Sequence, residues 1–125
     1  RPDRTVFGAL EAVLRLHLAG QELPIDRLWL DPEHQRERLD RVAGQLGASI
    51  IESDAYVGGG AAPERPIPGE ALALSGDSGL LERLRIGDPP VVGYIREGRL
   101  ILDLRTVDPA DDQRLIAAVL SASSD

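Results

Sequence analysis

Residues 91–95 and 100–107 are two β-rich runs joined by Arg96-Glu97-Gly98-Arg99, which reads as a hairpin. An antiparallel pair of this kind is not stable alone; it must be one part of a larger sheet with a covered face. Along the second run Leu100, Leu102 and Leu104 point one way, and Ile101, Asp103 and Arg105 the other. One face therefore belongs to a core and the other is mixed. On spacing alone, Asp103 and Arg105 read as an ion pair on a solvated sheet face.

The rest of the chain supplies cover for that face. Val6, Leu10, Val13, Leu14 and Leu18 share one helical stripe, expected to be buried, with Asp3 or Thr5 as cap and Gly20 as stop. Leu28, Trp29 and Leu30 form a short extended stretch. Asp31-Pro32 then opens a helix that turns Leu39, Val42, Ala43 and Leu46 inward and ends at Gly47. Residues 48–57 read as a strand and residues 71–75 as another. Between them lies a loop with Gly58, Gly59, Gly60 and a Pro-containing stretch. Asp77 starts a short helix bearing Leu80, Leu81 and Leu84, and Asp88-Pro89-Pro90 forbids its continuation. Asp108-Pro109 repeats the capping device before a last helix with Leu115, Ile116, Val119 and Leu120 inside. The order helix, helix, strand, strand, helix, strand, strand, helix predicts an α+β two-layer sandwich: a short, mainly antiparallel sheet with helices on one face. At 125 residues, this is expected to be a single domain.

Composition narrows the chemistry. There is no Cys, which removes disulfides, thiolate metal sites and Cys nucleophiles. All 14 basic residues are Arg, so no lysine Schiff base or P-loop lysine can come from this chain. A net charge of −7 argues against nucleic-acid binding by this piece alone. No apolar run approaches the roughly 18–20 residues of a membrane span. Neither His17 nor His34 has Asp, Glu or His at the i+4 spacing a helical metal site would use, so a metal site is not expected. Asp111 and Asp112 fall in the first turn of the last helix, where carboxylates complement the helix dipole. The triple glycine matches neither G-x-G-x-x-G nor a P-loop. Residue chemistry by itself yields an α/β domain without a complete active site. The chain opens on Arg1 and has no Met, which suggests a piece of a longer polypeptide.

Read together, Leu84-Arg85-Ile86-Gly87-Asp88-Pro89-Pro90-Val91 and Gly98-Arg99-Leu100-Ile101-Leu102-Asp103-Leu104-Arg105-Thr106-Val107 resemble the C-terminal end of bacterial selenocysteine synthase, the L-seryl-tRNA(Sec) selenium transferase family. Val57-Gly58-Gly59-Gly60 is similar to that family's VGGG loop, and residues 8–15 to its ALEATLR helix. The resemblance implies a fold-type-I enzyme dependent on pyridoxal 5′-phosphate, whose cofactor lysine lies in a large domain outside this chain. The fragment would be the small C-terminal domain, inactive and without cofactor alone.

The implied reaction converts seryl-tRNA(Sec) to selenocysteinyl-tRNA(Sec) with selenophosphate, in a cytoplasmic homo-oligomer. Arg1 falls where the family has an arginine expected to face the selenium-donor anion. A guanidinium suits such an anion through bidentate hydrogen bonding. Arg105 matches the arginine of LDLRTV and stands as a second candidate for substrate or anion binding. Gly58, Gly59 and Gly60 would border the active-site cleft. The sequence departs from the pattern at Arg4 (usually lysine), at Ala61 to Glu64 (usually Ser-Leu-Pro-Gly) and at Tyr94 (commonly arginine). These departures leave room for a related lyase acting on a small amino compound or amino-sugar acid, or for a non-catalytic assembly module.

Overall fold

A computed structural model describes residues 3–23, 26, 32–56 and 66–124. Among the described residues there are four helices, α1 (Arg4–Leu18), α2 (Pro32–Leu46), α3 (Ser78–Ile86) and α4 (Asp112–Ser124), and four strands, β1 (Ser49–Glu52), β2 (Glu70–Ser75), β3 (Tyr94–Arg96) and β4 (Arg99–Leu102). Two 3-10 turns, Leu104–Thr106 and Pro109–Asp111, lead from β4 into α4. The element order and the two-layer α+β architecture are those expected from the sequence. Leu28, Trp29, Leu30 and the cap at Asp31 lie outside the described residues.

All strand pairs are antiparallel, in the order β1-β2-β4-β3. The hairpin turn is tighter than the runs suggested. Arg96 pairs with Arg99, leaving Glu97 and Gly98 as a two-residue loop at φ 53° and 72°. Positive φ at both central residues matches the right-handed strand twist, and glycine takes it at no steric cost. At the other end, β4 stops at Leu102 rather than running to Val107. Asp103 caps the following turn by accepting a hydrogen bond from the Arg105 N–H at 3.0 Å. This local bond competes with the sheet ladder and bends the chain off the sheet.

Alternation in β2 sorts its residues. Leu72 and Leu74 join Leu100, Leu102 and Leu104 against Leu39 and Val42 of α2, Leu80 and Leu84 of α3, and Leu115, Ile116 and Val119 of α4. The opposite face carries a second small cluster, Ala71, Ala73 and Ile101, with Ile51 beside it. Its burial is explained by three polar side chains that span the sheet. Tyr94 Oη lies 3.4 Å from Ser53 Oγ, Arg96 Nη2 donates to the Glu52 carbonyl, and Arg99 Nη1 donates to Ser49 Oγ. They run from β3 and β4 toward β1, past β2, whose alanines leave room beneath them.

The stripe on α1 departs from expectation. None of its residues is buried; Phe7 is 60% and Leu18 84% exposed. Periodicity specifies an apolar face but not what covers it. Helix packing runs instead between α2 and α4, α3 and α4, and from α2 and α3 onto the sheet. Leu120 is also more exposed than its place on the stripe implied.

The Asp77 cap has a pH consequence. Its carboxylate accepts the Leu80 N–H at 2.9 Å, and chiefly for that reason its pKa lies below the usual aspartate value. A depressed folded-state pKa means that the ionised cap favours folding. The contribution is complete above the unfolded aspartate range and is lost as pH falls through the lowered value. In an NMR titration, Asp77 is expected to protonate below free aspartate, with the Leu80 amide shift following the same curve. Titration at the free value would refute the assignment.

Candidate functional site

The most elaborate polar arrangement lies where β4 gives way to the Leu104–Thr106 turn. Arg105 is 2% exposed there, although the spacing had suggested a solvated sheet face. Its Nε donates to both Asp103 carboxylate oxygens, at 3.0 and 3.1 Å, and its Nη2 to Oδ2 at 2.6 Å. The turn causes the change: leaving the strand swings Arg105 inward while Asp103 remains its neighbour. A planar guanidinium can then serve several acceptors at once.

The remaining contacts of Arg105 reach far along the chain. Nη1 donates to the Ile67 carbonyl at 2.8 Å and Nη2 to the Ser53 carbonyl at 3.0 Å. These residues belong to two segments that are themselves paired. Ser53 N donates to Gly69 O, and Ala55 and Ile67 exchange backbone hydrogen bonds at 3.0 and 2.8 Å. The guanidinium thus ties together both stems that flank residues 57–65, the stretch of sequence with Gly58, Gly59 and Gly60. Gly69 makes this possible, because a Cβ there would stand 2.8 Å from Nη1.

A second arginine grips the same turn from the helix side. Arg38 of α2 is 6% exposed and donates through Nη1 to the Leu104 carbonyl and through Nη2 to the Val107 carbonyl, both at 3.0 Å. Its ion pair with Asp112 is 2.6 Å long, and both side chains are buried. Arg41 adds a longer contact to the same carboxylate at 3.3 Å. Asp112 is therefore a buried ion-pair partner as well as an acid in the first turn of α4. Sequence reasoning missed this pair, because 74 positions separate its members.

An open cleft of about 290 Å³ borders the turn, with Pro89, Val91, Asp103, Thr106 and Arg114 among its walls. It brings the Asp88-Pro89-Pro90 region and the turn after β4 to one place. Arg114 at its rim is already paired with Asp111 at 2.9 Å. His17 is exposed on α1, and His34 lies in the first turn of α2. Among the described residues, no group of three or more His, Asp or Glu could hold a metal ion. Arg1, Gly58, Gly59 and Gly60 lie outside the described residues, so of the anticipated site only Arg105 has described geometry.

A family model for L-seryl-tRNA selenium transferase matches residues 1–108. Among curated proteins, the L-seryl-tRNA(Sec) selenium transferase of Hyphomonas neptunium is 37% identical over 94% of this chain and 29% of its own length. That of Solidesulfovibrio magneticus is 35% identical over 97% of this chain and 30% of its own. The Aquifex aeolicus protein of that name is 32% identical over 86% and 26%. The chain thus spans less than a third of the length of these relatives. The match runs through α1, the whole sheet and the turn built around Asp103 and Arg105, and the chain belongs to the L-seryl-tRNA selenium transferase family.

Proposed function

We propose that this chain is the small C-terminal domain of an enzyme that converts seryl-tRNA(Sec) to selenocysteinyl-tRNA(Sec) using selenophosphate. The observation that carries the reading is the continuous family match across both characteristic segments, residues 84–91 and 98–107. Pyridoxal 5′-phosphate, when bound in such an enzyme, supplies an electron sink for chemistry at the serine side chain. The residues present here do not fit a complete site for it. The cofactor needs a lysine amine and every basic side chain in this chain is an arginine. The buried arginines among the described residues are both engaged, Arg105 with Asp103 and two carbonyls and Arg38 with Asp112 and two carbonyls. The cofactor lysine therefore belongs to a large domain outside this chain, and residues 1–125 alone have no turnover.

In this reading the domain frames the site. Arg105 acts on the loop stems, and through them on Gly58, Gly59 and Gly60, which in this reading border the active-site cleft of the full-length enzyme. Arg1 faces the selenium-donor anion, which a guanidinium recognises through two parallel hydrogen bonds. The net charge of −7 supports a tRNA held mainly by other parts of a cytoplasmic homo-oligomer. Among the described residues, no helix is long and apolar enough to cross a membrane.

The test is the visible spectrum of the extended polypeptide before and after addition of seryl-tRNA(Sec), with free serine as control. A bound-cofactor band that changes only with the charged tRNA is the expected result. A band indifferent to tRNA but responsive to a small amino compound would assign a related lyase instead. Absence of any band would leave a non-catalytic module.

A further inference from the structure

We infer that the apolar face of α1 is the seat of the additional polypeptide that the relatives carry beyond the stretch they share with this chain. The inference rests on reading the chain as one domain of a longer enzyme, and it assigns the surface by which that domain is attached. Twelve large apolar side chains are exposed among the described residues, and seven of them (Val6, Phe7, Leu10, Val13, Leu14, Leu16 and Leu18) lie on this one helix. Phe7, Leu10, Leu14 and Leu18 line a shallow groove along it, edged by the Glu11–Arg15 ion pair. A concentration of this kind marks an interaction surface rather than the scattered apolar residues of an ordinary exterior.

Helix physics requires a cover. A 15-residue helix standing alone in water is marginal, and most helical stability comes from packing an apolar face. The Asp3 cap, which accepts the Thr5 and Val6 N–H groups, helps only at the first turn. The family match includes α1, and more than two thirds of each relative lies beyond the shared stretch. The charges on α1 are few and mixed, Arg4, Glu11 and Arg15, so neither a polyanion nor an anionic lipid surface is a complementary partner. An apolar protein surface is.

Amide exchange followed by mass spectrometry tests this on the extended polypeptide and on the 125-residue chain side by side. Amides of residues 8–18 are expected to exchange at least about tenfold more slowly in the extended protein. Leu10→Glu with Leu14→Glu should abolish that difference and leave β4 protected, whereas Ala12→Glu on the opposite face should not. Equal exchange in the two proteins would overturn the inference. So would a concentration-dependent dimer of the 125-residue chain with α1 protected and lost in the Leu10/Leu14 variant, which would assign the face to a second copy. Exchange does not depend on the cofactor band, so failure of the proposed reaction and failure of this attachment are separately visible.

Discussion

Replacing Asp112 by alanine is expected to cost about 3–5 kcal/mol of folding stability, the range for removing one partner of a buried ion pair. Arg38 cannot escape to solvent when its carboxylate is lost. It is 6% exposed, and its Nη1 and Nη2 are held by the Leu104 and Val107 carbonyls. The variant would therefore retain a buried guanidinium that has lost its counter-charge. For a domain of this size each kcal/mol corresponds to about 4 °C in Tm, so thermal unfolding should move by roughly 12–20 °C. A double variant, Arg38→Met with Asp112→Leu, removes both charges and is expected to recover part of the loss. Recovery stays incomplete because the Val107 carbonyl then loses its Arg38 donor and the Leu104 carbonyl keeps only the Val107 N–H. A shift of only a few degrees in Asp112→Ala would mean that water reaches the pair and that it contributes little.

The fold was largely legible because its signals are local. The caps at Asp3, Asp77 and Asp108, the helix stop at Gly47 and the turn within Arg96–Arg99 each act within a few residues, and strand alternation showed which side of β4 meets the helices. Two things were not legible. The exposure of α1 depends on what lies opposite it, and a periodic pattern carries no such information. The site was hidden for a different reason. Arg38 reaches Asp112 across 74 positions, and Arg105 reaches Ser53 across 52. No spacing rule connects such residues. The nearest available signal was Asp103 two positions before Arg105, and it suggested an ordinary surface pair because nothing in the sequence announces that the strand ends at Leu102.

The turn after β4 consequently joins the two layers. Arg38 enters it from the helix side through carbonyl contacts, while Arg105 leaves it toward the loop stems on the other side. Either arginine therefore supports structure on a segment distant from its own. The two variants should differ in which amides they expose. Loss of the Asp112 contact loosens α2 against α4, whereas loss of Arg105 frees the paired stems around Ser53 and Ile67.

Arg105→Met is expected to destabilise the domain by about 3 kcal/mol, toward the low end for a broken buried pair because Asp103 retains 26% side-chain exposure and can rehydrate. The diagnostic effect is local. The Ser53, Ala55 and Ile67 amides are held in the stem by bonds to Gly69, Ile67 and Ala55, and their exchange should accelerate well beyond that of β3–β4 amides. Lysine at 105 should rescue only part of this, since one ammonium cannot match a carboxylate bidentately while reaching two separate carbonyls. Gly69→Ala attacks the same clasp from its other side. The added methyl would meet Nη1 at 2.8 Å, and the guanidinium has little freedom to retreat while it is bonded to Asp103 and Ser53. Overpacking of this kind costs about 1–3 kcal/mol and should accelerate the same stem amides. In the enzyme proposed above, loosening of the stems that flank residues 57–65 predicts reduced turnover in Arg105→Met with partial recovery in Arg105→Lys, at temperatures where both remain folded. Uniform acceleration of exchange across all strands would instead make Arg105 a general core contact with no special hold on the loop.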